Sequence, residues 1–191
     1  MELRSFIAIE LPAGLIAELD SLEARLGGGG HYPVKWVEPR SIHLTLKFLG
    51  NIDSGRVGGI MEAMAVAAGG IRPFDLSVKG LGVFPDSRRV QVAWVGLMGE
   101  VDRLLALQER LETELSRLDF PAERRSFKPH LTIARLRERA SPQERQGFGR
   151  LIAGTDFTPD SGFRVGAISL MRSQLSREGA VYSRLGSIGL E

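Results

Sequence analysis

The chain alternates between apolar runs of strand length and apolar stripes at helical spacing. Residues 5–11 form a nearly continuous apolar run, as a buried strand requires. Pro12 interrupts it. Leu15, Ile16, Leu19, Leu22 and Leu26 then recur every three or four positions, which predicts a helix, and Gly27 to Gly30 end it as a flexible connector. Residues 34–37 and 42–49 predict strands, and residues 53–68 predict a helix closed by Gly69 and Gly70. Residues 74–83 and 90–95 predict two strands around a turn at Pro85, Asp86 and Ser87. The clearest helical stripe runs over residues 100–118, through Val101, Leu104, Leu105, Leu111, Leu115 and Leu118. Residues 127–134 predict a strand. Ser141 and Glu144 form a capping box with Pro142 in the first turn, so a helix should run from there to about Ala153. Residues 163–171 and 180–188 predict final strands, paired across residues 176–179.

The pattern gives about eight strands and four helices, and its hairpin-like pairs imply antiparallel strands and an α+β fold. No stretch reads as a linker, so residues 1–191 are expected to form one domain. A chain of this length buries a hydrophobic core without disulfides or metals. With 43% hydrophobic and 25% charged residues it is an ordinary globular composition, which excludes disorder, collagen and coiled coil as whole-chain descriptions. Cysteine is absent, which removes disulfides, thiolate metal sites and cysteine nucleophiles and fits a reducing, cytoplasmic setting. The net charge is only +2, but just four of the 25 basic residues are lysines, and arginine suits phosphate oxygens. The opening apolar run is far short of the roughly 20 residues that span a bilayer and lacks the cleavage pattern of an export signal, so no membrane association is expected.

One internal echo carries the chemistry. Two of the three histidines lie in near-identical tetrapeptides, His43-Leu44-Thr45-Leu46 and His130-Leu131-Thr132-Ile133. On a strand, successive side chains point to opposite faces. His43, Thr45 and Lys47 should therefore share one face, with Leu44, Leu46 and Phe48 on the other. His130 and Thr132 should share a face opposite Leu131 and Ile133. If the halves are related by an approximate two-fold, two imidazoles and two hydroxyls meet across a cleft. A histidine gives or takes a proton near neutral pH, and a pair can act in opposite protonation states. Threonine hydroxyls can hold an oxyanion, and Lys47 and Arg135 can neutralise phosphate charge. No nucleophile motif accompanies the pair, so acid–base attack by water or a hydroxyl on a phosphodiester or cyclic phosphate fits best. The plainer reading is two core histidines bonded to backbone carbonyls. A metal site would need a third ligand, and His31, in a Gly-rich loop, is a poor one. Strict alternation puts Arg135 on the face away from His130, so a bulge or strand end is needed to bring it round, and it puts Phe48 in the core. Trp36 and Phe127 read as packing aromatics.

These residues resemble the 2H phosphoesterases, and within them the RNA 2′,3′-cyclic phosphodiesterases long labelled 2′–5′ RNA ligases. The likeness covers nearly the whole chain: Arg4 to Ile9, Val34-Lys35-Trp36-Val37, His43 to Gly50, Gly82 to Pro85, Phe127 to Arg135, Leu170 to Leu175 and Gly179 to Tyr182. Before the first motif the chain reads Pro39-Arg40-Ser41-Ile42, where many relatives carry Asn and Leu. The resemblance implies a bilobal fold of two mostly antiparallel sheets with pseudo-two-fold symmetry, outer helices and a central catalytic groove. It implies opening of an RNA-terminal or nucleoside 2′,3′-cyclic phosphate to a 2′-phosphate without metal or cofactor, with 2′–5′ ligation as a related activity. It assigns His43 as proton donor, His130 as proton acceptor, and Thr45 and Thr132 as ligands of the non-bridging oxygens. Lys47, Arg135, Phe48 and Phe127 are then candidate substrate-binding residues, and the protein is expected to act as a monomer. The alternatives are a related enzyme acting on 2′–5′ oligoadenylate or another small cyclic nucleotide, and a non-catalytic RNA-binding module.

Overall fold

The computed structural model describes residues 1–123, 125–159, 162–175 and 180–191. Its strands form two antiparallel sheets. In the four-stranded sheet the order is β3 (His43–Asp53), β1 (Glu2–Glu10), β8 (Ala167–Leu175), β9 (Ala180–Gly189). In the five-stranded sheet it is β2 (Val34–Trp36), β6 (His130–Leu136), β5 (Val92–Gly99), β4 (Phe74–Phe84), β7 (Gly162–Val165). Four α-helices connect them: α1 (Ala13–Gly27), α2 (Val57–Ala68), α3 (Val101–Ser116) and α4 (Pro142–Ala153). No helix among the described residues is long and apolar enough to cross a membrane.

The halves correspond. β1, α1 and β3 form an antiparallel strand pair with a helix between, and β5, α3 and β6 repeat it. Strands cross over after each unit: β4, the next strand after the first, pairs with β5, and β8, which follows β7 after the second, pairs with β1. Each sheet is thus completed by chain from elsewhere. The motif strands β3 and β6 meet at the junction of the sheets, with Cα atoms within 8 Å of each other.

The helical stripes form the core with one exchange: Leu105, expected in the stripe of α3, is exposed, and Leu107 is buried in its stead. Leu15, Leu19, Leu22 and Leu26 of α1 and Leu104, Leu107, Leu111 and Leu115 of α3 join Ile7, Ile9, Leu44, Val95 and Leu131 of the strands in one buried cluster. Phe6, Ala8 and Met171 form a second, smaller cluster on the other face of the first sheet. Phe6 stacks on His43 there, so this face and the His130 face of the second sheet are together called the groove face. The predicted capping box holds: Ser141 Oγ accepts from Glu144 N, and a Glu144 carboxylate oxygen accepts from Ser141 N at 2.7 Å.

Several boundaries differ from the pattern. The run 163–171 is two strands, not one. It breaks at Gly166, so β7 edges one sheet and β8 enters the other; an apolar run does not reveal a change of sheet. The turn joining β8 to β9, at 176–179, lies outside the described residues. β6 begins at His130 rather than 127, because Pro129 has no N–H to give a ladder. Residues 54–56, read as helix α2's first turn, are instead a 3₁₀ turn.

Two ionisable side chains among the described residues, Lys47 and Glu23, are buried. Lys47 is only 3% exposed, and its ammonium donates to Glu112 of α3 at 2.7 Å and to the Pro121 carbonyl at 2.6 Å. Removing one partner of a buried pair strands the other, which typically costs about 3–5 kcal/mol, whereas replacing both by apolar groups often costs little. Glu112→Ala is therefore expected to lower unfolding free energy far more than the double change Lys47→Met with Glu112→Leu. Equal losses in urea denaturation would show that the pair does not tie α3 to β3.

Glu23 of α1 is 8% exposed, and its Oε1 has no hydrogen-bond partner among the described residues. Burial, and then Asp20 and Glu38, push its pKa up from 4.5 to about 8. The folded state thus prefers the protonated carboxyl. This stability is complete below the unfolded pKa of 4.5 and is lost as pH rises through about 8. Glu23→Gln should match the wild type in acid and exceed it in melting temperature above pH 8. A thermal scan giving the same difference at every pH would contradict this.

Candidate active site

Each motif strand carries a β-bulge directly after its threonine. In β3, Thr45 pairs with Ala8 and Lys47 with Ile7, leaving Leu46 without a partner. In β6, Thr132 pairs with Trp94 and Ala134 with Ala93, leaving Ile133 unpaired. The extra residue shifts the alternation by one. Both sequence readings of the following residues change as a result. Lys47, expected beside His43, turns into the core and its ion pair with Glu112, so it is not a groove cation. Phe48, whose alternation placed it in the core, turns to the groove face and is 63% exposed. Arg135, whose placement required a bulge, receives one and is exposed on the face of His130 and Thr132. Phe127 packs against the main core, with Trp36 beside Phe148. Among the described residues Phe127 makes no ring contact with Phe6, Phe48, Phe84, Trp94 or Tyr182.

The two histidines are held alike. His43 Nδ1 lies 2.7 Å from the Ser41 carbonyl, and His130 Nδ1 lies 2.6 Å from the Lys128 carbonyl. A carbonyl oxygen only accepts, so each Nδ1 carries the hydrogen and each Nε2 is left for chemistry. Both rings are partly exposed, and Thr45 and Thr132 stand two residues further along the same face. The backbone carbonyl bond of the plainer reading is present, but it spends only one nitrogen of each ring.

The surroundings differ. His43 stacks on Phe6 with centroids 4.6 Å apart and meets the edge of Tyr182 at 5.1 Å. His130 meets Phe84 edge-on at 5.0 Å and Trp94 at 6.3 Å. The Trp94 ring lies across Gly82, where a Cβ would come within 2.1 Å of it, so only glycine allows this approach. Opposite His43 in the ladder stands Glu10, whose carboxylate accepts from Ser169 Oγ at 2.7 Å and pairs with Arg184 at 2.8 Å. Partial burial pushes Glu10 up, but the hydrogen bonds from Arg184 and Ser169 outweigh it and hold its pKa below the ordinary carboxylate value. His43 is pulled the other way: burial lowers its pKa, against the Ser41 carbonyl and the Glu10 charge, which both favour the cation.

Sequence reasoning missed Glu10, Phe6, Trp94 and Tyr182. Glu10 could have been noticed as the one acid in the first apolar strand. The aromatics show no signal of which face they take.

Two half-sites, each offering an imidazole nitrogen and a hydroxyl from matching strands, make up the candidate two-histidine site. The chain belongs to the 2′-5′ RNA ligase superfamily, whose sequence model matches residues 12–177. It is 32% identical over 183 residues to proteins of Methanothermobacter thermautotrophicus and Thermotoga maritima, each named RNA 2′,3′-cyclic phosphodiesterase. The match covers 96% of this chain in both cases, 96% of the first relative and 93% of the second. The crystal structure of TT0787 of Thermus thermophilus has the same fold, with a TM-score of 0.79 at 26% identity over 98% of each chain. That of E. coli LigT complexed with 3′-AMP superposes with a TM-score of 0.76 at 24% identity, over 100% of this chain and 99% of that one, which is a likeness of fold.

The opposing influences on His43 give a direct test. Glu10→Gln removes the carboxylate that favours the imidazolium, so the His43 pKa should fall further below its ordinary value. An NMR titration of the His43 ring reads this. An unchanged midpoint would mean that the Glu10 field does not reach the ring.

Proposed function

We propose that the protein hydrolyses the 2′,3′-cyclic phosphate at an RNA end, or of a nucleoside, to a 2′-phosphate, with related 2′–5′ ligation available to the same site. The observation that carries this reading is the pair of imidazoles whose Nδ1 atoms are tied to backbone carbonyls and whose Nε2 atoms are free. The names of the relatives from M. thermautotrophicus and T. maritima agree with it.

In the proposed reaction His130 Nε2 takes a proton from water as the water oxygen forms a bond to phosphorus. The bond from phosphorus to the 3′ oxygen breaks, and the Nε2–H of a protonated His43 supplies the proton that this oxygen needs. The charge on the phosphoryl oxygens is held by Thr45 and Thr132, with Arg135 supplying positive potential from the second sheet. Attack in line with the departing 3′ oxygen leaves the phosphate on the 2′ oxygen. Exchange with solvent then resets both rings. Burial lowers the His43 pKa overall, and Glu10 beside it is the neighbouring charge that works against that loss, favouring the protonated ring that a proton donor must present. The groove-face ring of Phe48 serves as a stacking surface for the base in this reading. The whole chain is taken to work as one bilobal monomer in the cytoplasm, with no cofactor.

Hydrolysis of adenosine 2′,3′-cyclic phosphate tests the proposal. His43→Ala and His130→Ala are each expected to lower kcat by about 10²–10⁴, the usual worth of a positioned acid or base. Near-wild-type turnover in both variants would overturn the mechanism. Binding without any turnover by the wild type would favour the RNA-binding alternative.

A further inference from the structure

The groove face of the second sheet carries a pair of like charges that the fold does not need. Lys35 of the edge strand β2 stands directly opposite Arg135 of β6. Residues directly opposite in an antiparallel ladder lie on the same face, and like charges in that position repel. Both are exposed, and neither has a hydrogen bond or an ion pair to a side chain among the described residues. Their neighbours behave differently. Trp36 and Ala134, the next pair along, turn to the core and pack there. The two cations are therefore on the groove side, brought there on β6 by the bulge at Ile133.

Position decides what they could hold. With one bulged residue between them, Thr132 and Arg135 are two pleat steps apart, about 7 Å at the rise of a strand. That is roughly the interval between successive phosphates of an extended nucleic-acid strand. A single cyclic nucleotide has only the reacting phosphate, which the threonines hold and toward which Arg135 lends only its field. An RNA end has a second, on the 5′ side of its last nucleotide.

We propose that Lys35 and Arg135 together form a subsite for that internucleotide phosphate, making Lys35 a specificity residue for oligonucleotide over mononucleotide ends. The inference rests on the cyclic phosphodiesterase reading and adds to it the neighbouring phosphodiester. An anion between the two cations relieves their repulsion, so the fold leaves them unpaired until substrate arrives.

The test compares kcat/KM for adenosine 2′,3′-cyclic phosphate with that for the dinucleotide ApA ending in a 2′,3′-cyclic phosphate. The wild type should prefer the dinucleotide by about tenfold, the scale of one charge-assisted contact at an exposed site. Lys35→Met should bring the ratio close to one, and Lys35→Arg should keep it. Added salt should erode the wild-type preference, since the contact is to a phosphate. Equal ratios in wild type and Lys35→Met would overturn the subsite while leaving the cyclic phosphodiesterase reading intact. Failure of the wild type to turn over either substrate would overturn that reading, and the subsite with it.

Discussion

Leu46 and Ile133 each follow a motif threonine, and each lacks a partner across its strand. This repeated irregularity governs what the two strands can do. A regular strand that buries one face against helices must put every second side chain in the core. The histidine and threonine of each motif obey that rule on the groove side, with Leu44 and Leu131 on the core side. One step later the rule would send Lys47 into the groove and Phe48 and Arg135 into the core, where a guanidinium has no partner. The bulge exchanges those assignments in both halves at once. It delivers Lys47 to Glu112 and Arg135 to the open face. In β6 the displaced backbone is also used, because the Ile133 carbonyl accepts from Val37 N at 2.9 Å.

With the strands shaped alike, any division of labour between the histidines must come from their neighbours. Both rings have the same tautomer for the same reason, a carbonyl two residues back. Glu10 is close enough to His43 to favour its cation, while burial opposes it. His130 sits instead between Phe84 and Trp94, and no carboxylate among the described residues bonds to it. The proposed donor is therefore the ring with an anion in reach, and the proposed acceptor the ring among aromatic surfaces. Arg184 and Ser169 keep Glu10 ionised for that purpose, which ties the last two strands of the chain to the chemistry of the first motif.

Much of this was legible in the sequence because it follows from period. The helical stripes of α1 and α3, the Ser141 cap and the strands carrying the motifs are local patterns, and the doubled His-Leu-Thr signature needs no tertiary information. The failures share one cause. A bulge is an event in the ladder, set by the partner strand as much as by the residues that bear it. Alternation read off β3 alone therefore reversed Lys47 and Phe48. The same analysis found that Arg135 could face the site only through a bulge, which shows that the constraint was visible even where its solution was not. Gly166, where the chain changes sheets, and Glu10, whose importance depends on β1 lying against β3, were hidden for the same reason.

The duplicated scaffold also makes its own divergence readable. Phe48 and Arg135 occupy the same place, three residues after the motif threonine and two pleat steps along the bulged strand. One half presents an exposed ring there, next to Phe6, with centroids 6.1 Å apart. The other presents a guanidinium, opposite the ammonium of Lys35. A two-fold site made of identical halves would hold a substrate equally well in either direction. At this one position the first half offers an aromatic surface and the second positive charge, and a nucleotide is itself divided into a flat base and an anionic backbone. Under the proposed function, that complementarity selects one orientation of the substrate, and with it the proposed assignment of the two imidazoles to the two oxygens on either side of the phosphorus. In this reading the asymmetry that directs the reaction comes from the position after the bulge, while the symmetry that makes it possible comes from the motifs before it.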